Sequence, residues 1–169
     1  MTARRGPHHP LPAPVLGPDE LNANLADAFD QQRPYVVTSV APGVATLEID
    51  ESGLMIRPGG TVSGPTVMAL VDAAAWIVLL AHIGWEPLAV TSNLSINFLA
   101  KPDPARLQAT AELLKLGRRL AVCDVRVTCG DDAVLVADAS VTYAIPSSYT
   151  PPSSYPPPSS YPPTSEADR

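Results

Sequence analysis

Between residues 88 and 145 apolar and polar positions alternate in four successive runs, whereas residues 64 to 83, GPTVMALVDAAAWIVLLAHI, are apolar almost without interruption. Alternation with period two is the mark of a half-buried strand, and it predicts strands over 88–99, 105–116, 118–129 and 133–145. Lys101–Pro104, Gly117 and Gly130–Asp132 are the turns between them, Gly117 closing a tight hairpin. In the run LAVTSNLSINFL, Leu94, Ile96 and Phe98 fall on one face, and Thr91, Asn93, Ser95 and Asn97 on the other. The unbroken apolar run predicts a helix over 64–83. Ser63 or Gly64 can cap it, Pro65 is tolerated in a first helical turn, and Gly84 ends it. Upstream, Leu21, Leu25, Ala28 and Phe29 lie at helical spacing behind Asp19 and Glu20, predicting a helix over 19–32 stopped by Arg33-Pro34. The β-branched run 35–49 predicts one strand with a bend or bulge at Pro42-Gly43. Residues 50–63, with Gly53, Pro58, Gly59 and Gly60, are a loop.

By length alone the apolar helix could cross a bilayer. Asp72 would then sit near mid-span at a cost of about 2.5–3.5 kcal/mol. The alternating strands that follow favour a soluble account, in which a helix apolar all round is wrapped by a sheet. The expected fold class is therefore α+β, an antiparallel sheet against one long helix. One helix covers one sheet face, so the sheet edges and polar face call for a partner, most simply a second copy.

Asp72 is the anomaly in this helix. Its neighbours at three and four residues' distance, Met68, Ala69, Ala75 and Trp76, offer it no partner. Burying such a charge costs several kcal/mol unless polar groups from another element reach it. It is either a site carboxylate or a structural one hydrogen-bonded to a loop or partner subunit. Trp76 and Trp85 are expected as core or interface aromatics.

The 169 residues divide by composition into a proline-rich segment (1–18), one working domain (19–146) and a Ser/Tyr/Pro tail (147–169) whose tyrosines recur every six residues. Proline fixes φ and removes a donor, so the tail is expected to be extended and solvated. The net charge of −6 argues against a nucleic-acid partner. Lys101, Arg106, Lys115, Arg118, Arg119 and Arg126 nevertheless outnumber Asp103, Glu112 and Asp124 in one stretch. Arg118 and Arg119 beside Lys115 suit a phosphate, or are a solvated hairpin tip. Cys123 and Cys129 are six residues apart in one predicted strand, roughly 20 Å and out of disulfide reach. No Cys or His pair has metal-ligand spacing. Arg4 and Arg5 precede no apolar segment, so no secretory signal is expected, and a reduced cytoplasmic location is.

GGTVSGPTVMALVDAAAW, then VTSNLSINFLAKP, then LLKLGRRLAVCDVRV, resemble in order and spacing the hotdog-fold acyl-CoA thioesterases of the PaaI type, over residues 35–145. The resemblance implies a hotdog fold, a sheet wrapped around one central helix. It also implies a homodimer joined sheet edge to sheet edge, of a kind that often pairs again into a dimer of dimers, with the active site where one central helix meets the partner subunit. The family's His-Gly-Gly, with Asp or Glu nine positions after the His, reads here as Ser63-Gly64-Pro65 and Asp72. By resemblance Asp72 is the catalytic carboxylate, as nucleophile or as base for water. Gly64 is the oxyanion donor through its N–H, Ser63 stands in place of the His, and Pro65 has no N–H to share that work. Arg57 stands where relatives carry Asn or Gln, and Trp76 where some carry Ser or Thr. Arg57, Thr91 or Asn93, Lys115, Arg118 and Arg119 are candidates for holding substrate and coenzyme A. No cofactor is implied beyond the coenzyme A of the substrate itself.

The implied activity is hydrolysis of an acyl-CoA to free acid and coenzyme A. The rival is a non-catalytic acyl-CoA binding module or assembly subunit, favoured by the loss of the His and second Gly. A hydratase needs a paired His, and His82 follows Asp72 by ten residues on a different helix face.

Overall fold

The computed structural model describes residues 11–29, 34–49 and 53–150. Its elements are α1 (Pro18–Ala28), β1 (Tyr35–Ala41), β2 (Val44–Ile49), α2 (Gly64–Ile83), β3 (Val90–Phe98), β4 (Leu107–Leu116), β5 (Leu120–Cys129) and β6 (Val134–Ala144). The strands form one antiparallel sheet in the order β1-β2-β4-β5-β6-β3. It curls around α2, which is the hotdog arrangement.

The core explains where so apolar a helix places its side chains. Leu70, Val71, Ala74, Ile77, Val78 and Leu80 are fully buried against the sheet's inner face. That face is unusually small in side chain: Ala45, Ala109, Ala111, Ala121, Ala137 and Ala139 line it. Alanines opposite large helix residues let the two layers interdigitate without voids. Truncating Leu70 to Ala would cost about 2–5 kcal/mol. Although α2 is long and apolar enough to cross a membrane, two-thirds of it is buried in its own sheet. What the sheet leaves uncovered is a stripe at helical spacing: Pro65, Met68 and Ala69 are exposed, and Asp72, Ala73 and Trp76 half-buried.

Three expectations require correction. The stretch 35–49 is two strands rather than one bent strand. Pro42-Gly43 is a two-residue hairpin turn in which Gly43 has φ 75°, a conformation open chiefly to glycine. Next, α1 ends at Ala28 with Phe29 as its C-cap; residues 30–32 of the predicted helix lie outside the described residues. Finally, residues 11–16, expected to lie outside the domain, lie against its core. The last carbonyls of a helix lack intrahelical partners. Here Val15 N–H (2.7 Å) and Leu16 N–H (3.1 Å) both donate to the carbonyl of Ala81, while Leu11 and Leu16 pack on the core. Tyr149, the first tyrosine of the tail repeat, also packs there.

The C-terminal end of α2 is pinned by a buried histidine. His82 Nδ1–H donates to Val78 O (2.7 Å) and Nε2 accepts Gly43 N–H (2.9 Å). Burial holds its pKa below the ordinary value, against the smaller opposing pull of the Val78 carbonyl. Cys123 and Cys129 are both free and buried in β5, and burial pushes the Cys123 thiol up to about 12.

Candidate active site

The half-buried Asp72 lies on the uncovered stripe of α2, two turns beyond the helix start. Its helix neighbours offer it no partner, as expected, and the polar groups come from another element: the sheet supplies two donors. Thr91 Oγ1–H donates to Oδ1 at 2.6 Å, and Tyr143 Oη–H to the same oxygen at 2.8 Å. Tyr143 Oη also lies 3.1 Å from the Asp72 carbonyl.

The two hydroxyls converge because of strand register. Thr91 on β3 pairs directly with Tyr143 on β6, so both side chains leave the same face of the sheet. A β-bulge between Thr91 and Asn93 makes this possible. Asn93 pairs with Thr142, whereas Leu94, Ile96 and Phe98 pair with Val141, Ala139 and Ala137 of the inner face. The expected polar stripe is therefore split. One extra residue, Ser92, turns Thr91 inward to Asp72 and leaves Asn93 on the outer face. Asn93 does not join Asp72, and Ser92 Oγ–H bonds the Thr142 carbonyl at 3.1 Å.

Around Asp72 lies a cavity of about 400 Å³ at the seam where the two edges of the curled sheet approach each other. Its walls are mostly apolar, with Leu25 from α1, Phe29 at the C-cap of that helix, Leu47, Trp76, Ile77 and Val90. Tyr35 from β1 completes the polar set with Thr91 and Tyr143. Among the described residues no Lys, Arg or His lines it. Burial, and then the Asp72 charge, raise the pKa of the Tyr35 hydroxyl. Burial raises that of Tyr143 far more, so it remains a protonated donor. Trp76 stacks at a tilt on Trp85 (5.5 Å) and meets Phe29 edge to face (6.4 Å), closing one wall. Trp76 and Phe29 thus line the cavity, while Trp85 packs against the core.

Gly64 occupies a second cavity, of about 410 Å³, with Arg57, Phe98, Leu99, Lys101 and Pro102. The loop before α2 is held in a small hairpin by the Ile56–Val62 bridge and by Val62 N–H on the Pro102 carbonyl (3.0 Å). Arg57 lies in that hairpin, its Nε–H bonded to Thr61 Oγ1 at 2.7 Å. Of the first helical amides, Thr66 N–H finds Ser63 Oγ (3.3 Å) and Val67 N–H the Ser63 carbonyl (3.3 Å), while Pro65 has none. The Gly64 N–H has no acceptor among the described residues. Ser63, grouped by resemblance with the catalytic residues, is the N-cap of α2: the residue is 7% exposed and its hydroxyl is bonded to both Thr66 N–H and Thr66 Oγ1 (2.9 Å).

Lys115, Arg118 and Arg119 are exposed at the β4–β5 hairpin. Because Leu120 pairs with Ala144, next to Tyr143, this hairpin stands at the Asp72 end of the sheet and away from Gly64. Arg119 is already engaged, donating to the Pro146 carbonyl at 2.8 Å. Tyr143 and Tyr35 were not singled out from sequence. The available signal for Tyr143 was its place on the inward alternation of Val141, Tyr143 and Ile145, since a buried tyrosine needs a partner for its hydroxyl.

A long helix wrapped by one antiparallel sheet, with a carboxylate in an apolar seam, defines a class that comparison with known proteins identifies. The thioesterase superfamily profile matches residues 59–136. A Silicibacter protein described as a thioesterase by assignment is 41% identical, with 79% of this chain and 94% of that one covered and a TM-score of 0.72. The chain belongs to the thioesterase superfamily, a class of thioester hydrolases. Zebrafish thioesterase superfamily member 2 shares the fold at 22% identity (TM-score 0.66; 78% and 100% covered). So does a Streptococcus pneumoniae hypothetical thioesterase solved with coenzyme A, at 20% identity (TM-score 0.59; 76% and 95% covered). A search of curated proteins returns no match.

Proposed function

We propose that the protein hydrolyses an acyl-CoA thioester to the free acid and coenzyme A, as a homodimer whose sites lie between subunits. The observation that carries this reading is Asp72 itself, a carboxylate in an apolar cavity, held by two hydroxyls and faced by no cation among the described residues. Coenzyme A bound to the S. pneumoniae neighbour supports that carrier.

Within one chain the Asp72 carboxylate and the Gly64 N–H cannot serve one carbonyl. Eight helical residues separate them, about 12 Å along the axis, whereas reacting groups must lie within about 3–3.5 Å. A second copy removes the difficulty. β3 is an edge strand with Val90 and Phe98 more than half exposed, the kind of edge that a soluble protein covers. Two β3 strands paired antiparallel about a two-fold axis set the Val90 end of one against the Phe98 end of the other. Asp72 lies with Thr91 near the first end, and Gly64 with Phe98 at the second. Each dimer then has two sites, each with Asp72 from one subunit and Gly64 from its partner.

In such a site Asp72 takes a proton from a water whose oxygen attacks the thioester carbon. The charge that develops on the carbonyl oxygen meets the free Gly64 N–H at the positive end of α2. Collapse of the tetrahedral adduct breaks the C–S bond, and the leaving thiolate takes the proton back from Asp72. In the alternative route an Asp72 oxygen attacks directly, giving an acyl anhydride and thiolate, and water then cleaves the anhydride. Lys115, Arg118 and Arg119 at the Asp72 end hold the nucleotide phosphates, with Arg57 beside Gly64. No further cofactor enters.

The test is thiol release from short, medium, long and aromatic acyl-CoAs by the wild type and by Asp72→Asn. Release that collapses in the variant is the expected result, and release that survives it removes Asp72 from the chemistry. Calorimetric binding of acyl-CoA without any release would establish instead the binding module that Ser63 and Pro65 favour.

A further inference from the structure

Both hydroxyls that reach Asp72 fall on the same oxygen. Oδ1 receives Thr91 at 2.6 Å and Tyr143 at 2.8 Å, while Oδ2 has no hydrogen bond among the described residues. Left to itself, the terminal torsion of an aspartate is broad and nearly two-fold, so its oxygens would interchange. Two donors on one oxygen remove that freedom. They differ in how firmly they are held: Thr91 is exposed on an edge strand, whereas Tyr143 is 3% exposed on β6, between β5 and β3, with its ring in the core.

The geometry points to Tyr143 as the residue that positions the Asp72 carboxylate, tying Oδ1 to the sheet and leaving Oδ2 as the oxygen that meets substrate or water. Only its kinetic consequence rests on the thioesterase reading. Donation to a carboxylate also supports its charged form. Among the described residues the cavity's other titratable group is Tyr35 from β1, neutral beside Asp72, and its hydroxyl, like that of Tyr143, can offer the carboxylate a dipole but no charge.

The experiment compares crystal structures and kinetics of wild type, Tyr143→Phe and Thr91→Val. In wild type the Asp72 carboxylate holds one orientation with Oδ1 on Tyr143; in Tyr143→Phe it turns or takes two orientations, whereas in Thr91→Val it stays ordered on Tyr143. With an acyl-CoA that the wild type hydrolyses, Tyr143→Phe lowers kcat about tenfold or more, the worth of a hydrogen bond to a charged group, with little change in KM. A reoriented carboxylate in a protein that hydrolyses no acyl-CoA upholds the positioning role and overturns the thioesterase reading. An unmoved carboxylate in Tyr143→Phe overturns the positioning role, even if kcat falls, because packing alone then explains the loss. Tyr143→Leu carries the same measurement if the phenylalanine variant does not fold.

Discussion

The two cavities on α2 are nearly equal in volume, about 400 Å³ at Asp72 and 410 Å³ at Gly64, and opposite in chemistry. The first holds a carboxylate among apolar and aromatic walls, with every nearby hydroxyl neutral. The second holds a free helix amide flanked by Arg57 and Lys101. One can accept a proton or attack; the other can stabilise an anion. On the proposed reading neither is a complete hydrolytic site, and the two helical turns that separate them are the distance a two-fold axis would close.

The largest expected effect falls on the first cavity. Asp72→Asn keeps the shape and the Thr91 and Tyr143 contacts but removes the base, and should lower kcat by about 10²–10⁴ with the melting temperature little changed. Thiol release beside thermal melting checks this. In the second cavity the discriminating pair is Gly64→Pro and Gly64→Ala. Ser63 already has ψ 149°, which suits a following proline, and a Cβ at Gly64 would meet only Phe98 at 3.6 Å. Both variants should fold. The proline variant, without an N–H, should lose about 10²–10³ in kcat, and the alanine variant far less. Equal losses in the two would take the amide out of the mechanism.

Smaller effects sharpen which end of the sheet holds the nucleotide. Arg118→Ala should raise KM several-fold with kcat nearly unchanged, an effect that weakens as salt rises. Should Lys101→Ala do this instead, the phosphates lie at the Gly64 end. The smallest effect concerns folding. His82 is held neutral in the native state by burial, with its pKa depressed, and in the unfolded chain it protonates near about 6.5. The unfolded state thus binds the extra proton. The His82 contribution is complete above about pH 6.5 and is lost as pH falls toward the lower folded value. Urea midpoints between pH 5 and 8 should show this slope, and His82→Gln should flatten it.

Much of the fold was legible because its signals are local. Ser63, Pro65 and Gly84 mark the ends of α2 within the sequence itself, and alternation places β3 to β6 to within two residues. Asp72 was legible as an interruption of an apolar run, and the resemblance joined it to Gly64. What was hidden depends on register. Nothing in VTSNLSINF announces that Ser92 is a bulge, yet that one residue separates Thr91 from Asn93. Tyr143 lies 71 residues from Asp72 and meets it only once β6 is paired with β3. The turn at Pro42-Gly43 looked like a bend because the apolar pattern continues through it. The docking of residues 11–16 answers an orphan carbonyl at Ala81, visible only when the helix end is built.

The claim that the two cavities belong to one site across a dimer is tested most directly by co-expressing Asp72→Asn with Gly64→Pro, each inactive alone. If each site takes Asp72 from one subunit and Gly64 from the other, the mixed dimer has one intact site, and an equal mixture recovers about a quarter of the wild-type rate. If both residues of a site come from the same chain, every site in the mixture lacks one of them, and no activity returns.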